Sequence, residues 1–458
     1  MAISTKNFSI NVIEKVIVHA QEPWTDHWLP FTNLDLLVPP FDFGFFFCYK
    51  KPSHDNFRTT LKDSLSRALA LYYPLAGEIM WNADAGENQI RCDNRGVEFT
   101  EAVADVELKE LNLYNPDESI EGKLTPKKLH GVLAIQVTEL KCGGIVIGCM
   151  FDHRAADGYS ANMFISSWAD ITRSEPPSML PSFQRSILKP RSAITYSSSI
   201  NKVFALYEPP TKQNNITNNK CSDENVLVNR IYYVEGEQLN NIQSLASEDG
   251  CKRSKLEAFT SFLWKIIALS IEDSENFNEM CSVALVVDGR SRLSKGDGEE
   301  KEKLMASHFG NVLSVPFGSK RSQELKEMSL RDIGTEVHEF LQTTTQKDHF
   351  LDLIDWVEER RSQPLVAIAF ASKEMAVMVA SGTRFHIMDK MDFGWGKLAF
   401  GSCHVPFGRN DCYVMTLPSP TNANDWVVYM HLPMKHTSYI ESHATHMFKP
   451  LNVDYLGI

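Results

Sequence analysis

LHGVLAIQVTELKCGGIVIGCMFDHRAADG, residues 129–158, decides the fold. Val132, Ala134, Gln136 and Thr138 alternate with Leu133, Ile135 and Val137 in a β-branched run, the two-residue period of a strand. Lys141 to Gly144 supplies turn residues, and Ile145 to Met150 forms a second apolar strand. The reading is a hairpin whose second strand delivers its end at Phe151-Asp152-His153. Gly158 then opens a helix with Phe164 and Trp168 four apart, hence on one face.

Working outward, strand and helix signals stay mixed. Asn56 to Tyr72 sets Leu61, Leu65, Ala68, Leu69 and Tyr72 on one helical stripe, which Pro74 stops. Val226 to Val234 reads as a strand, and Ser254-Lys255-Leu256-Glu257 is a capping box whose helix continues through Phe259, Leu263 and Ile267. Asp297 to Lys303 is densely charged and is expected to be a solvated loop. From about Pro176 to Asn219 the composition turns to Pro, Ser, Asn, Lys and Thr with little periodicity, as in an interdomain linker. With 458 residues the chain is too long for one ordinary core. The expected division is 1–180, a crossover linker at 181–222, and 223–458.

Hydrophobic residues make up 43% and charged residues 23%, a globular balance. The net charge of -12 argues against nucleic acid, since phosphate binding needs a cationic face, and the basic clusters are as short as Lys127-Lys128. Phe41 to Tyr49, the most apolar run, is too short to cross a bilayer, and the first residues lack the apolar core of a secretory signal. The 9 cysteines (Cys48, Cys92, Cys142, Cys149, Cys221, Cys251, Cys281, Cys403, Cys412) are scattered with no Cys-x-x-Cys pair, which fits reduced thiols rather than disulfides or a zinc site. The expectation is a cytoplasmic monomer with no metal and no membrane partner.

Two constellations could carry chemistry. In His153-Arg154-Ala155-Ala156-Asp157-Gly158 the imidazole stands at a strand end on a turn of small residues, where it can be held rigidly and still reach a cleft. Its ordinary pKa near 6.5 suits proton transfer near neutrality, although a satisfied structural histidine gives the same spacing. Asp157 precedes a helix and could cap it, or pair with a cation. In Asp392-Phe393-Gly394-Trp395-Gly396 the glycines suggest an unusual backbone turn rather than a catalytic side chain. No kinase loop accompanies that Asp-Phe-Gly, and there is no Gly-x-Ser-x-Gly, Walker loop, dinucleotide fingerprint or His-Glu-x-x-His.

The ordered strings Trp28–Asp35 (WLPFTNLD), Tyr73–Gly77 (YPLAG), His153–Gly158 (HRAADG), Val287–Leu293 (VDGRSRL), Gly310-Asn311 and Asp392–Gly396 (DFGWG) resemble the plant BAHD acyltransferases nearly end to end. The resemblance implies two similar mixed α/β domains, like chloramphenicol acetyltransferase, with a substrate channel between them. It implies transfer of an acyl group from a coenzyme A thioester, bound as co-substrate with no permanent cofactor, to a small acceptor. On that pattern His153 is the general base, Asp157 pairs with Arg290, and Asp392, Gly394, Trp395 and Gly396 are structural supports of the cofactor channel. Asn311 falls where the family places a residue near the histidine and is a candidate orienter.

Coenzyme A phosphates could meet Lys252, Arg253, Ser254 and Lys255 at the capped helix start, since helix N-termini attract anions; a solvated basic turn is the alternative. Members that use shikimate or quinate bind its carboxylate with an arginine ahead of DFGWG; Arg384 in Ser381–Phe385 is similar but one residue farther from Asp392. The segment SKGDGEEKEKLMAS (294–307) is charged where many members are proline-rich. The opening WLPFTNLDLLVPPFDFGFFFCYKK (28–51) most resembles coniferyl alcohol acyltransferases, which implies a phenylpropanoid alcohol acceptor. Coumarin synthases and amine acylators share the scaffold, as do eceriferum-type relatives that work without the motif histidine.

Overall fold

The computed structural model describes residues 7–22, 25–52, 56–206, 226–247, 251–272, 279–361, 363–371, 376–384, 390–405 and 412–458, without the side chains of 370 and 371. Leu133–Leu140 and Ile145–Asp152 form the hairpin, with Leu133 opposite Phe151. All eight residues of the second strand are buried, because both faces of the sheet are covered.

That strand lies inside a six-stranded sheet in the order Ile10–Val18, Val97–Ala104, Leu133–Leu140, Ile145–Asp152, Asp42–Tyr49, Phe400–His404. Val97–Ala104 and Leu133–Leu140 run parallel and the other pairs antiparallel. Helices Phe57–Leu71 and Gly158–Thr172 share this core, where Trp168 Nε1 donates to Ser64 Oγ at 3.0 Å.

A seven-stranded sheet forms the second half: Phe317–Arg321, Met280–Leu285, Ala376–Ser381, Cys412–Pro418, Trp426–Pro433, Leu227–Val234, Lys449–Pro450. Its core is shared with helices Gly236–Ala246, Lys255–Leu269 and Leu330–Thr344. The fold is thus mixed α/β with two sheet-containing domains. One strand is exchanged: Phe400–His404, from the second half of the chain, pairs with Asp42–Tyr49 of the first sheet.

Two segments differ from expectation. Of the expected loop Asp297–Lys303, Asp297 and Gly298 are irregular, but the rest belongs to a helix, Glu299–Ser307. Three acidic residues favour its N-terminal turn, Lys303 and Glu299 pair at 2.6 Å across one turn, and Met305 anchors it. The segment is solvated as its charge implies, but it is helical. Within the expected linker, Leu188, Ile200 and Phe204 are buried, and Phe204–Leu206 pairs with Leu365–Ala367. The weak periodicity there reflects short single turns, Arg185–Leu188 and Ser198–Lys202. Residues 207–222, with Cys221, lie outside the described residues.

Candidate active site

His153 follows directly on the Ile145–Asp152 strand, and its N–H donates to Phe41 O at 3.0 Å. Phe41 and Phe43 flank the ring, with centroids 4.8 and 4.5 Å away. Nδ1 is sealed from solvent and makes no hydrogen bond of normal geometry. The half-buried ring lines a cavity, which leaves Nε2 as the nitrogen that addresses it. Burial holds the imidazole below its ordinary pKa of 6.5. Its own backbone, Asp157, the Asn311 amide and Asp152 pull the other way without reversing this. At neutral pH the site therefore presents an uncharged imidazole, able to accept a proton.

Asp157 does not touch the ring. It caps the Gly158–Thr172 helix, accepting from Ser160 N at 2.8 Å, and takes Arg290 Nη1 at 2.7 Å and Nη2 at 3.1 Å. Arg290 also donates to Asp288 Oδ1 at 2.7 Å and to Gly310 O at 2.9 Å. The arginine thus holds the turn that carries Asn311.

Asn311 Nδ2 donates to His153 O at 2.9 Å and Arg154 O at 3.2 Å, so the amide grips the backbone at the histidine. Asn311 is fixed in turn by Asp35, whose Oδ1 accepts its N–H at 2.7 Å and Nδ2 at 3.0 Å. Gly310 lets these groups converge: a β-carbon there would sit 2.9 Å from Arg185 Nη1 and 3.2 Å from Asp35 Oδ1.

The cavity holds about 800 Å³, the size of a small-molecule site, and lies between the two sheets. Phe43, Phe45 and Cys403 wall it from the first, Leu285, Met378 and Met415 from the second. Polar groups gather in two places. Ser254, Lys255, Glu257 and His338 cluster at the start of the Lys255–Leu269 helix, where Ser254 Oγ accepts Glu257 N at 3.2 Å. Asp288, Arg292, Thr383 and Arg384 form the other group. Burial holds the Arg292 guanidinium below its ordinary value; Asp288 opposes that fall and Arg384 adds to it, so two cations and a carboxylate share this corner of the cavity.

Arg253 requires a correction. It is 4% exposed, donates Nη2 to Thr335 Oγ1 at 3.1 Å and does not line the cavity, so it cannot meet a coenzyme A phosphate. Its role is to tie Cys251–Ser254 to the Leu330–Thr344 helix. Lys252 is exposed and also outside the cavity lining.

Asp392–Gly396 likewise does not line the cavity. Asp392 Oδ1 accepts Gly394 N at 2.8 Å and Gly396 N at 3.1 Å, closing a turn in which both glycines have positive φ, 96° and 110°. Phe393 packs edge-on to Trp168 at 4.9 Å, and Trp395 meets Tyr49 and Phe57. The segment clamps the second half of the chain onto the helices of the first.

Sequence reasoning missed Asp35, Phe41 and Phe43 as parts of the histidine's setting. Asp35 ends the string WLPFTNLD, but nothing local ties it to a residue 276 positions away. Among the described residues no group of His, Cys, Asp and Glu could hold a metal ion, and no helix is long and apolar enough to cross a membrane.

A family model described as "Transferase family" matches residues 8–447. Hydroxycinnamoyltransferase of Narcissus pseudonarcissus is 30% identical over 417 residues, covering 85% of this chain and 89% of its own. Shikimate O-hydroxycinnamoyltransferase of Nicotiana tabacum is 26% identical over 431 residues, covering 90% and 93%. Among solved structures, vinorine synthase matches with a TM-score of 0.69 at 19% identity, over 96% of this chain and 99% of that one.

Proposed function

This chain belongs to the BAHD acyltransferases, and from that premise we propose that it transfers an acyl group from a coenzyme A thioester to the hydroxyl of a phenylpropanoid alcohol such as coniferyl alcohol. The observation that carries the reading is the place of His153 on the wall of the cavity between the sheets, with Nδ1 sealed from solvent and burial holding the imidazole below its ordinary pKa.

The chemistry follows from that placement. A hydroxyl is a poor nucleophile while protonated. His153 Nε2 takes its proton as the oxygen bonds to the thioester carbonyl carbon, and a tetrahedral oxyanion forms. Collapse of that intermediate breaks the carbon–sulfur bond, and the departing thiolate recovers the proton from the imidazolium. Such base catalysis contributes about 10²–10⁴-fold, and holding both reactants in one cavity contributes comparably or more. Asn311 acts as orienter by fixing the carbonyl of His153. Ser254 and Lys255, at a helix N-terminus on the cavity, suit the anionic end of the thioester. Arg384 lies where an acceptor's polar tail could meet it.

The test is turnover of the purified enzyme with acetyl, benzoyl and hydroxycinnamoyl thioesters against coniferyl alcohol and a matched amine, read as free thiol and ester or amide. Ester formation that His153→Ala abolishes supports the reading. Amide formation alone moves the acceptor class to amines. Lactone released from an ortho-hydroxycinnamoyl thioester without acceptor, with no ester from any alcohol, overturns it in favour of cyclisation.

A further inference from the structure

The imidazole slot occupies one face of two strand ends, and the other face carries charge. Asp42 and Asp152 stand directly opposite in the antiparallel pair. Two carboxylates so placed repel. Each is met by a cation from its own neighbourhood. Lys128 Nζ lies 3.0 Å from Asp42 Oδ1, and Arg154 donates Nε and Nη2 to Asp152 at 2.9 and 2.6 Å. The Lys128 side chain is 8% exposed and also donates to Gly131 O at 3.1 Å, an unusual depth for a lysine. One rung further along lies the His153 N–H to Phe41 O bond, and Phe41 and Phe43, the two rings that flank the imidazole, are the chain neighbours of Asp42.

We infer that Lys128 and Asp42 are positioning residues for His153: their ion pair, seconded by Arg154 on Asp152, keeps the strand ends closed and so fixes the imidazole between Phe41 and Phe43. The inference rests on the reading of His153 as base.

The balance at this rung is delicate. Burial raises the Asp42 carboxyl above its ordinary value, and Lys128 is the strongest influence opposing that rise. The charged groups that reach Asp42 are Lys128, Asp152 and Arg154. Without Lys128 the half-buried Asp42 carboxylate loses its strongest counter-charge while Arg154 still holds Asp152, and protonating Asp42 or opening the rung relieves the strain. Opening frees Phe41 and lets the ring leave its slot. Since about 1 Å of misplacement costs about 10²-fold, a partly open population predicts a loss of roughly tenfold in kcat. The KM for thioester changes far less, because most of the cavity wall is untouched.

The test compares kcat and KM of Lys128→Met, Lys128→Arg and the double variant Asp42→Asn/Lys128→Met, with His153→Ala as control. The expected result is a roughly tenfold kcat loss in Lys128→Met with little change in the KM for thioester. Lys128→Arg recovers activity by keeping the charge. The double variant recovers it by removing the repulsion. Wild-type kcat in Lys128→Met, or a double variant as impaired as the single, would overturn the inference. If Lys128→Met does not fold, the double variant decides: folded and active supports the clasp, unfolded refutes it. Full turnover by His153→Ala would remove the premise, whereas an inactive His153→Ala beside an unimpaired Lys128→Met sinks the clasp alone.

Discussion

Replacing Asp157 by Asn separates what holds the motif together from what reacts. The carboxylate is 1% exposed and accepts from Ser160 N, Val312 N and both terminal nitrogens of Arg290. An amide keeps one oxygen for Ser160, so the helix cap survives. The second acceptor oxygen is lost, and with it the charge opposite Arg290. Arg290 is not left bare, since Asp288 Oδ1 and the carbonyls of His308 and Gly310 remain. A wholly broken buried pair costs about 3–5 kcal/mol, and the surviving contacts bring this to about 2–4 kcal/mol.

For a folding unit of about 200 residues that corresponds to a fall of roughly 4–16 °C in the unfolding midpoint. The assay is thermal unfolding by circular dichroism, with turnover measured well below the variant's midpoint. The expected variant melts early and, while folded, keeps kcat within about tenfold. His153→Ala should show the reverse: a midpoint near wild type and a kcat lower by about 10²–10⁴. An Asp157→Asn enzyme that melts like wild type yet loses about 10²-fold would refute the reasoning and bring Asp157 into the chemistry.

Three further outcomes follow from the structure. Because burial holds His153 below 6.5, the pH profile of kcat/KM should stay flat through neutrality and fall only below that value; an inflection at or above it would indicate a solvated ring. Gly394→Ala, at φ 96°, should cost about 1–2 kcal/mol in chemical denaturation and leave kcat unchanged, since the turn lies off the cavity. His349, buried beside Ser314 Oγ, is pushed down to about 4, so the unfolded chain binds its proton first as pH drops. Its contribution is whole above pH 6.5 and fades as pH falls towards 4, by up to about 3 kcal/mol, and His349→Gln should flatten that part of the stability curve.

The parts of the fold that were legible are those specified by near neighbours. The hairpin ending at His153 and the Ser254–Glu257 capping box depend on residues a few positions apart, and both stand as read. Arg253 was misjudged because reading a cap correctly does not say which way its neighbour points, and tertiary packing sent that side chain to Thr335. The Glu299–Ser307 helix was hidden by charge, which marks exposure but does not separate helix from loop. Asp35 to Asn311 and Arg290 to Asp157 span 276 and 133 positions, beyond any local pattern. The second pairing was accessible through family resemblance; the first was not.

The long spans also explain why His153 has the position it has. His153 gives its N–H to Phe41 and its carbonyl to Asn311, so its two backbone tethers come from the first and second halves of the chain. Asn311 depends on Asp35, and its turn depends on Arg290, which is held by Asp157 four residues beyond the base. The circuit therefore closes only when both halves are folded against each other, which is also the condition for a cavity walled by both sheets. A partly unfolded chain would lose the orientation of the His153 imidazole together with the cavity, so on the proposed reading the ring is set for proton transfer only where both reactants can be held.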